Sequence, residues 1–269
     1  MNTLPQLTDA LLSLEERVAV LTLNRHDVRN ALTGTRLVDD IVTTAEWVNR
    51  CPDVSVLVIT GAGSAFSAGG NIRDMAERGG DFAGTPAECA ERYRRGIQRM
   101  PLAMETVDVP VIAAVNGPAI GVGLTMLLHC DIAYAAESAN FRAPFTALGL
   151  VPEAGSSLLL PLSVGNSMAN EILLAGRILT AQEALDCGLV SRLVPDAGLM
   201  AAATACAQQV AAAAPTAIRR SKALIRANRD AVKQRMAEEG KAFAEQLKSP
   251  DFAEAAAAFA QKRKPVFQD

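Results

Sequence analysis

Residues 109–130 read VPVIAAVNGPAIGVGLTMLLHC. The segment begins as a β-branched and alanine run, Val109 to Val115, and turns at Asn116-Gly117. Short continuous runs of this kind fit a strand buried on both faces, as in a parallel sheet. After Gly121 and Gly123 an apolar helix opens, from Leu124 to Cys130. The order strand, glycine turn, helix leaves backbone N–H groups unpaired at a helix start, where the dipole is positive. Such a junction can hold a phosphate, or an oxygen that becomes negative during a reaction.

Upstream the same order repeats. VSVLVIT (Val54 to Thr60) runs into a turn at Gly61 to Gly63, then FSAGGNI (Phe66 to Ile72) and a candidate helix from Ile72 to Arg78. The upstream junction has the spacing of neither a dinucleotide fingerprint nor a P-loop. Taken alone, it reads equally well as a tight turn that needs glycine. Together they suggest two N–H donors aimed at one oxygen, the requirement for stabilising an enolate or a tetrahedral oxyanion.

Around this pair, RVAVLTL (Arg17 to Leu23) alternates like a strand, and Thr33 to Arg50 places Leu37, Ile41, Ala45 and Val48 on one helical stripe. Thr85-Pro86-Ala87-Glu88 is a capping box opening a charged helix that runs toward Thr106; Thr180-Ala181-Gln182-Glu183 is a second, with Gly188 as its stop. From Gly198 to Lys262 the chain is alanine-rich, charge-studded helix with breaks near Pro215 and Pro250. The expected organisation is an α/β body over residues 1–195 and a helical region over 196–269.

Composition narrows the function. Half of the 269 residues are apolar and the formal net charge is -3, which argues against disorder and against a general attraction to nucleic acid or anionic membrane. The N-terminus lacks a basic region followed by an apolar core, and the apolar run from Val109 is interrupted by Pro110, Asn116 and Pro118. Five scattered cysteines without a CxxC pair fit reduced thiols, not disulfides or zinc. A cytoplasmic protein without a metal is the expectation. His26 and His129 lie far apart, and His129 reads as packed or capping at a helix end. No GxSxG elbow is present.

A third segment, GLVPEAGSS (Gly149 to Ser157), sets Glu153 among apolar and small residues. Desolvation there would raise its pKa and make it a better proton shuttle near neutral pH. Taken alone, a glutamate after proline is also the ordinary helix-start residue favoured by the dipole.

Together these segments resemble the crotonase (enoyl-CoA hydratase/isomerase) family. LNRHDVRNAL (Leu23 to Leu32) looks like its first CoA-binding loop, FSAGGNIRDM (Phe66 to Met75) like its first oxyanion loop, and residues 111–135 like its second. PFTALGLVPEAGSSLLLP (Pro144 to Pro161) and FAQKRKPVF (Phe259 to Phe267) follow in the family's order, so the resemblance covers nearly the whole chain. It implies an α/β crotonase (ClpP-like) fold, a repeated ββα superhelix with a C-terminal helical oligomerisation region that packs homotrimers, often paired into hexamers.

By position, the resemblance implies oxyanion donors at the N–H groups of Ala68 and Val122, with Gly69, Gly70, Asn71 and Gly121 lining the substrate. Arg29 would lie near the CoA phosphates, Ile72 beside the adenine, and Lys262 and Phe267 would close the CoA site, in the same or a neighbouring subunit. Coenzyme A is then part of the substrate, and no cofactor is implied. The family's hydratases resemble a two-carboxylate design, and those two positions are Thr125 and Phe145 here. Its monofunctional isomerases carry a single glutamate in the later loop, where Glu153 falls. The resemblance therefore implies a shift of 3-enoyl-CoA to 2-enoyl-CoA with Glu153 as sole acid-base group. Hydration or another crotonase-type reaction is the alternative, and a non-catalytic acyl-CoA binder or an RNA binder fits the residues less well.

Overall fold

The computed structural model describes residues 3–77, 82–226 and 229–267. Strands β1 (Ala10–Glu15) and β2 (Val18–Leu23) form an antiparallel hairpin, turned by Glu16 and Arg17, both at positive φ. Positive φ at both central residues gives the turn that matches the twist of the strands. From β2 onward the main sheet is parallel: β3 (Val56–Gly61), β4 (Val111–Val115), β6 (Ile132–Ala136) and β9 (Arg192–Val194) complete the order β1-β2-β3-β4-β6-β9. A small sheet, β5 (Ala119–Ile120), β7 (Asn140–Arg142) and β8 (Ile178–Thr180), stands beside it.

The continuous apolar runs have a physical use on both faces of the sheet. Leu57, Ile59, Val111, Ala113 and Val115 enter the main core, which also contains Leu37, Ile41, Ala45 and Val48 of α1 (Leu37–Arg50). The alternate residues Val56, Val58, Ile112 and Ala114 point the other way, onto Leu199, Ala203 and Ala207 of α8 (Leu199–Ala211). Spacing of four along α8 sets its small side chains in one line against the strands. The first helix of the C-terminal region is thus a layer of the α/β body.

Several expected elements are shorter than the pattern suggested. Helix α1 begins at Leu37 instead of Thr33. Thr33 is used elsewhere, because its hydroxyl accepts the N–H of Asn71 at 2.6 Å. The charged helix from Thr85 does not continue to Thr106. It breaks at Gly96 into α3 (Pro86–Arg95) and α4 (Arg99–Thr106), and Gln98 at the break donates to the Met236 carbonyl at 2.8 Å. The helix expected from Ile72 is α2 (Ile72–Ala76), and residue 78 lies outside the described residues. Both capping boxes are present, at Thr85 and at Thr180, the latter opening α7 (Ala181–Asp186).

The chain then runs through α9 (Pro215–Ile225), α10 (Arg229–Gln246) and α11 (Pro250–Ala260). Helix α10 packs against α3, and α11 against α2. These helices pack on the segments that carry the candidate site. Among the described residues no single helix is long and apolar enough to cross a membrane.

Candidate active site

The ends of β3 and β4 are tied before any site is formed. Asn116, just past β4, accepts the N–H of Gly61 at 3.0 Å and donates to the Gly63 carbonyl at 3.0 Å. The loops then zip together: Phe66 and Ser67 donate to the Pro118 carbonyl at 3.1 and 3.2 Å, and Ile120 donates to Ser67 at 3.0 Å. A side chain at Gly69 would put its Cβ 2.3 Å from the Ile120 carbonyl oxygen, and one at Gly123 would meet the Ser67 oxygen at 2.5 Å. Glycine is required at both for this approach. Gly69 also sits at φ +78, where other residues are strained.

The zipped loops place the candidate donors. The N–H of Ala68 is engaged by the Arg29 carbonyl at 2.9 Å, so the expectation that Ala68 supplies a donor is corrected. Two residues on, no acceptor among the described residues takes the N–H of Gly70. The same holds for Val122, the first residue of α5 (Val122–Leu127), whose N–H no helical carbonyl can reach. Gly70 and Val122 line the same narrow cleft, together with Glu153.

Glu153 precedes α6 (Ser156–Leu173) in a turn where Ala154 and Gly155 both take positive φ. The residue is buried, 6 % exposed, and the Tyr93 hydroxyl donates to its Oε2. Burial pushes its pKa up to about 7; the Tyr93 hydrogen bond opposes the rise, and the nearby Glu239 charge adds to it. Tyr93 is itself held far above its ordinary value, first by burial and then by the Glu153 charge. Glu239 of α10 accepts the N–H groups of Gly155 and Ser157 at 2.6 and 2.9 Å, capping the start of α6. The arrangement can take a proton and give it back at neutral pH, beside two amides free to bind an oxyanion.

Glu153 lines two small clefts, of about 20 and 50 Å³. Thr33, Met75, Phe82, Tyr93 and Ile97 complete the first, and Phe145, Leu148, Leu150 and Phe243 line the second. Glu153 is the carboxylate that lines them among the described residues. Thr125 is buried and hydrogen-bonded to the Val122 carbonyl at 3.2 Å, and Phe145 is a cleft wall.

The residues expected around CoA divide. Ile72 and Lys262 face one cavity of about 330 Å³ between α2 and the end of α11, within a single chain. Asn71 caps α2, its side chain accepting the N–H of Arg73 at 3.1 Å. Gly121 joins Gly70 and Val122 in the larger cleft. Arg29 is exposed and contributes its carbonyl to Ala68, and Phe267 is 46 % exposed and outside the cavity lining.

Pattern reading missed Tyr93, His129 and Glu239 as parts of this site. A signal existed for Tyr93: in the charged helix PAECAERYRR, Cys89 and Tyr93 stand four apart and are its buried residues. His129 is fully buried, with Nδ1 2.7 Å from Glu105 and Nε2 2.8 Å from the Ala154 carbonyl. Nothing local marks Glu239 as the cap of a helix more than eighty residues away.

A parallel sheet whose strand-end loops zip beside a buried carboxylate, backed by C-terminal helices, defines a crotonase-fold protein. The chain belongs to the enoyl-CoA hydratase/isomerase family, which residues 13–269 match. It is 35% identical to the 2,3-dehydroadipyl-CoA hydratase of Escherichia coli strain K12, over 97% of this chain and 99% of that protein. It is 34% identical to a short-chain-enoyl-CoA hydratase of Clostridium acetobutylicum, over 96% of this chain and 97% of that one. A crystal structure of an enoyl-CoA hydratase/isomerase from Pseudoalteromonas atlantica T6c superposes with a TM-score of 0.86 at 45% identity, covering 97% of this chain and all of the other.

Proposed function

We propose that the protein shifts the double bond of a 3-enoyl-CoA to the 2-position, with Glu153 as the single acid-base group. The observation that carries this reading is one buried carboxylate, with pKa about 7, in a cleft it shares with the amides of Gly70 and Val122. The thioester oxygen sits between those two N–H groups. Glu153 takes a proton from C2, giving a dienolate whose charge lies partly on that oxygen, and returns the proton to C4. A positioned base contributes about 10²–10⁴ in rate, and each oxyanion donor about 10²–10³. The proton shift moves no electrons to or from the enzyme and adds no water, so one carboxyl group suffices and no redox cofactor takes part. Coenzyme A enters as part of the substrate, its adenine end in the cavity of Ile72 and Lys262.

Hydration is the second reading, favoured by the hydratase names of the relatives. Against it stand Thr125 and Phe145, which supply no second carboxylate to activate water. A side-by-side assay of purified protein with 3-hexenoyl-CoA and crotonyl-CoA, following conjugated thioester absorbance, separates the two. Conjugation gained from the first without loss from the second supports isomerisation. Loss of crotonyl-CoA absorbance would establish hydration instead.

A further inference from the structure

We propose that Tyr93 is the positioning residue of the acid-base group: it holds Oε2 of Glu153, so that Oε1 is the oxygen that exchanges protons with substrate. The proposal rests on reading Glu153 as the proton shuttle. Its geometry is independent of which acyl group is bound.

Tyr93 donates to Oε2, and among the described residues no donor reaches Oε1. A carboxylate on a flexible side chain can present either oxygen, and in either lone-pair direction, to C2. Fixing one oxygen removes that freedom, and orientation of a reacting group is worth a large part of a catalysed barrier. The phenol proton stays on Tyr93 throughout. The substrate proton leaves C2, resides on Oε1, and returns to C4, so the cycle balances within one carboxyl group.

Tyr93 is itself fixed. Its ring stacks on Phe243 of α10 at 4.9 Å between centroids, with 22° between planes. Gln98, at the break after α3, donates to the Met236 carbonyl of the same helix. A Cβ at Gly240 would fall 2.6 Å from the Gln98 side-chain nitrogen, so glycine there allows α10 to lie this close. One turn before Phe243, Glu239 holds the N–H groups of Gly155 and Ser157, which follow Glu153. Helix α10 therefore braces both the tyrosine and the turn that carries the carboxylate. The groups facing Glu153 are Tyr93 from α3 and Glu239 from α10. Arg235 of α10 reaches the Ser157 hydroxyl at 3.3 Å, and His129, beyond α5, binds the Ala154 carbonyl.

The test compares wild type with Tyr93→Phe, which keeps the ring and removes the donor. With 3-hexenoyl-CoA, the proposal expects kcat to fall about tenfold or more with KM within about threefold, as for an orienting contact. It also expects the acid limb of the kcat/KM profile to move to higher pH, because the lost hydrogen bond favoured the carboxylate. Glu239→Gln removes a neighbouring charge and should move the limb the other way. An infrared titration of the Glu153 carboxyl stretch, isolated by subtracting a Glu153→Gln spectrum, reads the same ionisation without turnover. An upward move of that midpoint in Tyr93→Phe supports the proposal. An unmoved midpoint, or an unmoved limb with unchanged kcat, overturns it and leaves Tyr93 as packing. If wild type is inactive on 3-hexenoyl-CoA the functional reading fails, and the infrared midpoint still decides the role of Tyr93.

Discussion

His129 Nε2 donates to the carbonyl oxygen of Ala154 at 2.8 Å, immediately after Glu153. A carbonyl only accepts, so Nε2 carries a proton. His129 follows helix α5, whose first residue is Val122, and its own N–H continues the helical pattern by donating to Met126. One short segment therefore presents a free amide at its start and clamps the turn carrying the carboxylate at its end. The spacing between the oxyanion donor and the turn that carries the base is set by the rise of this segment together with the His129 side chain.

Replacing Glu153 by Gln should abolish isomerisation while leaving CoA-thioester affinity within a few-fold. The amide keeps the shape of the group and an oxygen for Tyr93 but cannot carry the proton. Loss of about 10²–10⁴ in kcat is the expected scale for a positioned base. Stopped assays and calorimetric titration with a non-isomerisable acyl-CoA measure the two quantities. Retained turnover would remove Glu153 from the mechanism.

The kcat/KM profile should fall on the acid side with a midpoint near the Glu153 pKa of about 7. Only the carboxylate accepts the C2 proton, so each pH step below that midpoint costs about tenfold. A flat profile between pH 6 and 8 would mean that another group takes the proton.

The same ionisation affects stability. The carboxyl group titrates at about 7 in the folded chain, against roughly 4.3 when unfolded. Between those values the folded chain holds a proton that the unfolded chain has released. Stability contributed by this group therefore falls as pH rises through the window, and the penalty is complete above it. Glu153→Gln removes the penalty. It should raise the melting temperature at pH 8 by several degrees, at about 2–4 °C per kcal/mol for a chain of this size, and by little at pH 4.5. An equal effect at both pH values would contradict the assigned ionisation.

What the sequence disclosed follows from the range of the interactions. The buried runs of β3 and β4, the stripe of α1 and the two capping boxes are local patterns, and each is legible within a dozen residues. The loop motifs located Gly70 and Val122 to within two residues. The choice between Ala68 and Gly70 depended on the Arg29 carbonyl, which reaches Ala68 across almost forty residues of chain. Tyr93 and Glu239 meet the Glu153 turn only through the packing of α3 and α10. Long-range partners of this kind leave no periodic trace, since only one residue on each side is constrained.

Gly69→Ala should lower kcat by about 10²–10³, the effect of displacing an oxyanion donor. Its Cβ would lie 2.3 Å from the Ile120 carbonyl oxygen and 3.3 Å from the Val122 nitrogen, so the two loops must part. Gly176→Ala is the control. Its φ is +63, and a Cβ there meets nothing within 4 Å. It should cost about 1–2 kcal/mol of stability for the left-handed backbone alone, with unchanged kcat. Equal kcat in the two variants would show that the contact between loops does not set the donor geometry.

His129→Leu tests the clamp between α5 and the Glu153 turn. Leucine fills a similar volume but leaves the buried Ala154 carbonyl without its donor, and it removes the ring that lies 2.7 Å from Glu105. Arg226 also contacts that glutamate at 3.3 Å and donates to the His129 carbonyl at 2.6 Å, so the charge is not abandoned. A loss of about 2–4 kcal/mol in urea unfolding is expected for breaking a buried polar network from one side. Ala154 holds φ +56, a conformation a non-glycine residue keeps only when its surroundings impose it. Freed from His129, the turn should relax and carry Glu153 away from C2, lowering kcat more than it raises KM. His129→Gln, which can still donate to the carbonyl, should recover part of kcat. If both variants lose stability equally and neither loses kcat, the clamp supports the fold and plays no part in placing the base.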